Sequence, residues 1–467
     1  MITQGGSKYL IFGVTGLATL VGAFSISSVN LALPTIAAEY QVSQSAISWL
    51  VLVFSLIPCC TLLFFGRLGD IYGYRRQFLF GFIFFGTVSL LIPLLAVDLR
   101  SLIFLRCLQG LGASMLISIT QAIISRTFEV SERGKALGIN AMLVSIGIAS
   151  GPTIGGILIE HFNWRAIFLF NVPFCVIGFL VTLAVLKDDS TKGVISQKKD
   201  WVGSILFALS IGLLTIGFNF SNTWGWLSGR SLICILGGVC SLCLFIKYEA
   251  RVEHPLMRLE LFQNATFSLA NLISVCCFLT LQMTSFLIPF FLINILLLQS
   301  DHSGIVMLVF PLTMLIVSPF GGGMADKYGT RYPAMSGLFI IGIGCVIMSL
   351  LTESSGIASV VGVLVLLGMG TGYSLPAINT AIMSSVSRDQ AGVASGMVAT
   401  VRNLGQTLGV TCGSIIVAMR QDVYLACSLI TLNDAYLKAA RDALFFGTLV
   451  ICLAFFLAYK IPEKKAQ

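Results

Sequence analysis

Charged residues are scarce in this chain. They make up 10% of its 467 positions, against about 25% in a water-soluble domain. With 57% hydrophobic residues and a mean hydropathy of +0.95, it has too little polar surface to cover itself in water. That excludes a soluble globular protein and implies a chain that lives in lipid. Histidine is scarcer still. His161, His254 and His302 are all there are, and none shares a constellation with a nucleophile and an acid. No Walker A sequence is present. Enzymatic chemistry and ATP-driven pumping are therefore set aside, and no cofactor is expected. The thirteen cysteines are too scattered for a disulfide framework or a metal site. Cys59, Cys60, Cys107, Cys276, Cys277 and Cys452 fall in apolar runs, where cysteine acts as a small hydrophobe. Of the 20 Asp and Glu residues, none falls clearly inside an apolar run.

The basic excess gives a net charge of +8. It lacks aromatic–basic interleaving or a basic soluble domain, which excludes a nucleic-acid partner. It fits the lysine and arginine bias of cytoplasmic loops instead. A bilayer core takes about 20 apolar residues per helix. Fourteen runs read as spans: 9–31, 46–66, 77–97, 101–125, 136–159, 165–186, 201–220, 231–250, 265–298, 303–323, 333–351, 357–383, 391–418 and 442–460. The first follows Lys8 and reads as a retained span, too long for a signal-peptide core. An even count puts both termini in the cytoplasm, with most lysines and arginines beside them.

Two charged stretches share one frame. GRLGDIYGYRR, Gly66–Arg76, and GGMADKYGTR, Gly322–Arg331, align Gly66 with Gly322, Asp70 with Asp326, Gly73 with Gly329 and Arg75 with Arg331. The register continues. Gly110 and Gly112 map to Gly368 and Gly370, Gly134 and Gly138 to Gly392 and Gly396, and Gly147, Gly151 and Gly155 to Gly405, Gly409 and Gly413. A near-constant offset across several landmarks marks a duplication. The expected fold is an all-α polytopic membrane protein of two pseudo-symmetric six-helix bundles plus an inserted helix pair. The halves are 1–187 and 261–467, and residues 188–260 hold the linker and the pair. Lys187–Asp200 is the expected linker. The mildly polar Arg420–Arg441 is expected to lie at the membrane surface.

These motifs resemble those of the major facilitator superfamily, and more closely its fourteen-helix branch of drug:proton antiporters. Gly66–Arg76 resembles the loop between helices 2 and 3. RCLQGLGAS, Arg106–Ser114, is similar to the helix-4 motif, and GIASGPTIGG, Gly147–Gly156, to the helix-5 motif of exporters. NLALPTIA, Asn30–Ala37, and NWRAIFLFNVP, Asn163–Pro173, look like branch segments. The resemblance implies a secondary active exporter of small hydrophobic or amphiphilic compounds. It would work by alternating access, coupled to protons, as a monomer in the plasma membrane. A facilitator, or a lipid or metabolite exporter not coupled through an embedded carboxylate, is the alternative.

The resemblance implies the latch and the coupling role of Arg106, and residue chemistry supplies the other candidates. A cytoplasmic latch would comprise Gly66, Arg67, Gly69, Asp70, Gly73, Arg75, Arg76, Asp326, Gly329 and Arg331. Within it, Gly69 and Gly73 would make the turn. Asp70 would stabilise a neighbouring helix N-terminus and pair with Arg75 or Arg76. Arg106 would serve proton coupling, with Glu160 a second candidate. Gly147, Gly151, Pro152, Gly155, Gly156, Gly405 and Gly409 would form packing and hinge surfaces where the two halves rock. Polar candidates for the substrate cavity are Ser25, Asn30, Trp49, Asn140, Asn171, Gln282, Asn379, Arg402 and Asn403. Two departures bear on the cargo. The branch carries an acid in helix 1 where Ser25 stands, and a threonine and a tyrosine in helix 2 where Leu52 and Phe54 stand. A cavity without fixed negative charge turns the expectation toward neutral amphiphiles or anions.

Overall fold

The computed structural model describes residues 5–42, 47, 49–186, 200–252, 255, 259–298, 300–353, 355–387, 390–427 and 432–462. They form long helices, and no strand occurs among them. In chain order these are α1 Gly5–Tyr40, α2 Trp49–Tyr72, α3 Tyr74–Leu95, α4 Leu99–Thr127, α5 Val130–His161, α6 Ala166–Val185 and α7 Trp201–Trp224. There follow α8 Gly229–Glu249, α9 Ala265–Phe290, α10 Val309–Tyr328, α11 Arg331–Ser349, α12 Ile357–Ser384, α13 Ala391–Cys427 and α14 Leu432–Tyr459. Among the described residues, thirteen helices are long and apolar enough to cross a membrane. The run 391–418 became α13, which glycines, Arg402, Asn403 and Gln406 make more polar.

Local chemistry sets the ends. Asp98 opens α4 with a capping box: its Oδ1 accepts the Ser101 N–H at 2.8 Å, and Ser101 Oγ accepts the Asp98 N–H at 3.1 Å. Asn264 caps α9 through the N–H groups of Thr266 and Phe267. Some elements overrun or interrupt the expected spans. Span 265–298 breaks after Phe290 into a π turn, Phe291–Ile295. The next is a short helix, Ser300–Met307, leading into α10.

The duplication is visible in the packing. α1 lies on α5 and α6, α2 on α4, and α3 on α4 and α6. α9 lies on α13 and α14, α10 on α12, and α11 on α12 and α14, in the same order. Two equivalent crossings join the sets: α2 on α13, and α5 on α10. The inserted helices break the symmetry. α8 packs on α7, and α7 lies along α2 and also reaches α13. Phe207, Ile211 and Phe245 cover Cys59, Leu63 and Val393 there.

The segment expected to lie at the membrane surface is helical where it is described. Residues 420–427 continue α13, and 432–441 begin α14. Arg420 Nε donates to Asp442 at 2.5 Å and Tyr424 Oη donates to it at 2.8 Å, while Tyr424, Tyr436 and Leu437 pack against the core. The segment is amphipathic, and helix satisfies its backbone. The linker 187–199 lies outside the described residues.

Candidate functional site

Asp70, in the last turn of α2, is the centre of one crossing. Its side chain is 3% exposed. Oδ1 accepts the N–H of Gly392 at 2.9 Å and Oδ2 that of Val393 at 3.0 Å. These are unpaired donors at the start of α13, where the helix dipole favours an anion. Tyr74 Oη donates to Asp70 at 2.6 Å. Asp326 repeats the bond from α10. Its oxygens accept the N–H groups of Gly134 at 2.6 Å and Lys135 at 2.8 Å near the start of α5. Each carboxylate thus ties its own six-helix set to the other. Both ties lie at the end where α1 begins, since Lys8 bonds Glu132 of α5 there. α14 also stops there, with the Tyr459 ring 4.2 Å from the Arg331 guanidinium. We call it the latch end.

The arginine beside Asp70 differs from expectation. It is Arg126 of α4, 3.7 Å away, with its guanidinium also 4.2 Å from the Tyr74 ring. Arg75 instead donates to the carbonyl of Leu183 at 3.0 Å. Position explains this. α3 starts at Tyr74 and carries Arg75 toward α6, while α4 ends beside α2. The turn residue is Gly73 alone, with φ +89°, and Gly329 matches it at +80°. Gly69 is helical, and a Cβ there would meet Ile119 at 2.6 Å. Its role is close approach.

Glycines let the crossings close. A Cβ on Gly66 would strike the Gly392 carbonyl, and one on Gly396 would lie 2.7 Å from that of Leu62. Across the second crossing, a Cβ on Gly134 would lie 2.5 Å from the Gly322 carbonyl, and one on Gly138 would strike that of Ser318. The glycines expected where the halves rock lie elsewhere. Gly147, Gly151 and Gly155 pack on Ala23, Ser27 and Ser28 of α1, and Gly156 reaches only Leu31. Gly405 and Gly409 pack on α9 at Phe278 and Leu279. Both seams are within a half. Pro152 lies on α5, the helix of the first seam.

Arg106 is 1% exposed. Its Nη1 donates to Gln109 Oε1 at 2.7 Å and Nε to the Leu50 carbonyl at 3.4 Å. Its guanidinium lies 4.0 Å from the Phe54 ring centroid. Gln109 in turn donates to Ser89 at 2.8 Å. Glu160 stands exposed at the far end of α5, away from this cluster. The cavity candidates differ in their surroundings. Trp49 stacks on Phe220 of α7 at 4.9 Å, facing the inserted pair. Asn140 accepts from Thr19 at 3.0 Å. Asn30 is exposed, and Gln282, Asn379, Arg402 and Asn403 are partly buried. Ser25 Oγ, Asn171 Oδ1 and Asn379 Oδ1 are buried without a hydrogen-bond partner.

Sequence reasoning passed over several members. Tyr74 and Arg126 complete the Asp70 cluster, and Tyr74 was readable as the residue after the turn glycine. At the far end, Glu39 accepts from Arg165 at 2.7 Å and from the Trp164 indole. Arg165, with Trp164, holds the Glu39 carboxyl below its usual range of 4.5.

Two like sets of six helices, tethered to each other at one end by matched carboxylates, define a polytopic membrane transporter. The chain belongs to the Major Facilitator Superfamily, whose family model matches residues 15–410 and 270–463. It is 33% identical to the riboflavin transporter RibZ of Clostridioides difficile, over 86% of this chain and 86% of that one. It is 30% identical to the multidrug resistance protein Stp of Mycobacterium tuberculosis, over 87% of this chain and 76% of that one. The human organic anion transporter MFSD10 superposes with a TM-score of 0.70 at 13% identity, covering 97% of this chain and 99% of that one. At that identity the likeness concerns the fold alone.

Proposed function

We propose that this protein exports small hydrophobic or amphiphilic compounds across the plasma membrane by alternating access, driven by protons. It works as a monomer with the latch end and both termini in the cytoplasm. The observation that carries the reading is the matched pair of carboxylate ties at one end. Asp70 and Asp326 each bond backbone of the opposite half, so opening that end breaks both together. A relative named for multidrug resistance supports the export of such compounds. In proteoliposomes, a proton gradient should drive uphill movement of a lipophilic compound, and an ionophore should stop it. Absence of any flux, with or without the gradient, would end the reading.

One observation favours a second reading, a uniporter. Ser25 stands where the branch carries an acid, and its hydroxyl is buried without a partner. Downhill flux that persists unchanged with the ionophore would select it.

A further inference from the structure

α13 carries a second intramembrane arginine, Arg402, whose surroundings differ from those of Arg106. Ten residues separate it from Gly392, the residue tied to Asp70. At about 1.5 Å per residue this is about 15 Å from the latch end, the middle of a bilayer core of about 30 Å. The direction it faces follows from its helix. Gly392 and Gly396 face α2, Val393 packs with α7, and Gly405 and Gly409 face α9. Arg402 precedes Gly409 by one heptad, so it points within about 20° of the α9 side, turned toward α2. That direction is roughly opposite α7 and looks into the interior between the two halves. Cys59 of α2 is within its electrostatic reach.

Nothing neutralises it. Among the described residues Arg402 makes no hydrogen bond, ion pair or aromatic contact, and it is partly accessible. The carboxylates that pair with cations do so elsewhere: Glu132 with Lys8, Asp70 with Arg126, Glu39 with Arg165, and Asp442 with Arg420. On the same stripe Ser395, one heptad earlier, is buried with its Oγ unpartnered. Gln406, one turn later, is partly buried. An unpaired guanidinium at mid-membrane is costly unless water or a ligand meets it. Arg106 shows the alternative, a buried arginine satisfied by its own protein.

We propose that Arg402 is the anchor for an anionic group on the cargo. The transported compounds are amphiphilic organic anions, held by the carboxylate or its equivalent at mid-membrane with the apolar part among the surrounding helices. The proposal rests on the transporter reading and narrows its substrate class. A carboxylate matches the planar fork of the guanidinium. A small inorganic anion such as chloride shares that chemistry, and the test separates the two.

The probes are dansylglycine and its neutral isostere dansylglycinamide, used for binding to the full chain in nanodiscs and for flux in proteoliposomes. Wild type should prefer the acid, and Arg402→Gln should weaken its binding about tenfold or more while moving the amide within about twofold. Arg402→Lys should recover part of the loss, and it remains informative if the glutamine variant does not fold. With chloride replaced by sucrose at equal osmolarity, wild type should keep its preference for the acid. The proposal is overturned if wild type does not distinguish the pair. Equal weakening of acid and amide by Arg402→Gln, or dependence of the preference on chloride alone, also overturns it. Amide flux through wild type without that preference would leave the transporter reading standing and remove Arg402 from the site.

Discussion

Asp70 and Asp326 occupy equivalent places but are not equally held. Each accepts two backbone N–H groups and has an arginine nearby, Arg126 for Asp70 and Arg133 for Asp326, while Asp70 adds the Tyr74 hydroxyl. A hydrogen bond to a charged group contributes about 1.5–3 kcal/mol. Asp70→Asn should therefore open the latch end by tenfold or more in population, at about 1.4 kcal/mol per decade, and Asp326→Asn by less. Alkylation of a cysteine placed at Leu63, buried where α2, α7 and α13 meet, reads this. Equal labelling of both variants and wild type would contradict it. Glu39 offers a test on the opposite surface. Its carboxyl is held below 4.5 by Arg165, so its contribution to stability is fully present above that value. It is lost as pH falls through the depressed folded-state value. The melting-temperature gap between wild type and Glu39→Gln should be constant near neutrality and shrink below about pH 4.5. A gap that grows on acidification would reverse the sign. At this scale the repeated aspartates were readable because charge is rare in the chain. Arg126 was not, because it reaches Asp70 only through the packing of α4 on α2.

The crossings are elements with backbone in contact, and glycine makes them possible. A Cβ on Gly134 meets the Gly322 carbonyl at 2.5 Å, with no flexible side chain to give way. A Cβ on Gly323 meets nothing within 4 Å. Gly134→Ala should force α5 and α10 apart and lower the melting temperature of the latch-closed state, whereas Gly323→Ala should leave it unchanged. A loss of roughly 1–3 kcal/mol is expected for such overpacking. The opposite ranking would refute the assignment of this seam. The glycine register Gly134, Gly138, Gly392 and Gly396 was legible as a repeat, but not as the contact between halves. Spacing alone shows that a face is small and not which helix meets it. Gly147 and Gly151 carry the same spacing and face α1 within their own half. The helical course of residues 420–427 escaped sequence reading for a related reason: its polar side chains bond one another across to α14.

The whole molecule is a duplicated bundle with one asymmetry. α7 covers the crossing of α2 with α13, and among the described residues the inserted pair does not pack on the equivalent crossing of α5 with α10. The duplication and the helix order were legible in the sequence because lipid demands long apolar runs with few alternatives. The placement of the inserted pair was not, because one apolar face reads like another. Alternating access requires the two sets of helices to move against each other about the bundle interior, opening one end as the other closes. Spin labels at the two ends read that motion. One pair goes at exposed Tyr72 and Tyr328, the latch-end tips of α2 and α10. The other goes at exposed Val97 and Glu353, just past the far-end tips of α3 and α11. Double electron–electron resonance on the lipid-reconstituted protein should show the latch-end distance lengthening while the far-end distance shortens when Asp70→Asn is introduced. Two distances that stay fixed, or that change in the same direction while transport continues, would contradict the account.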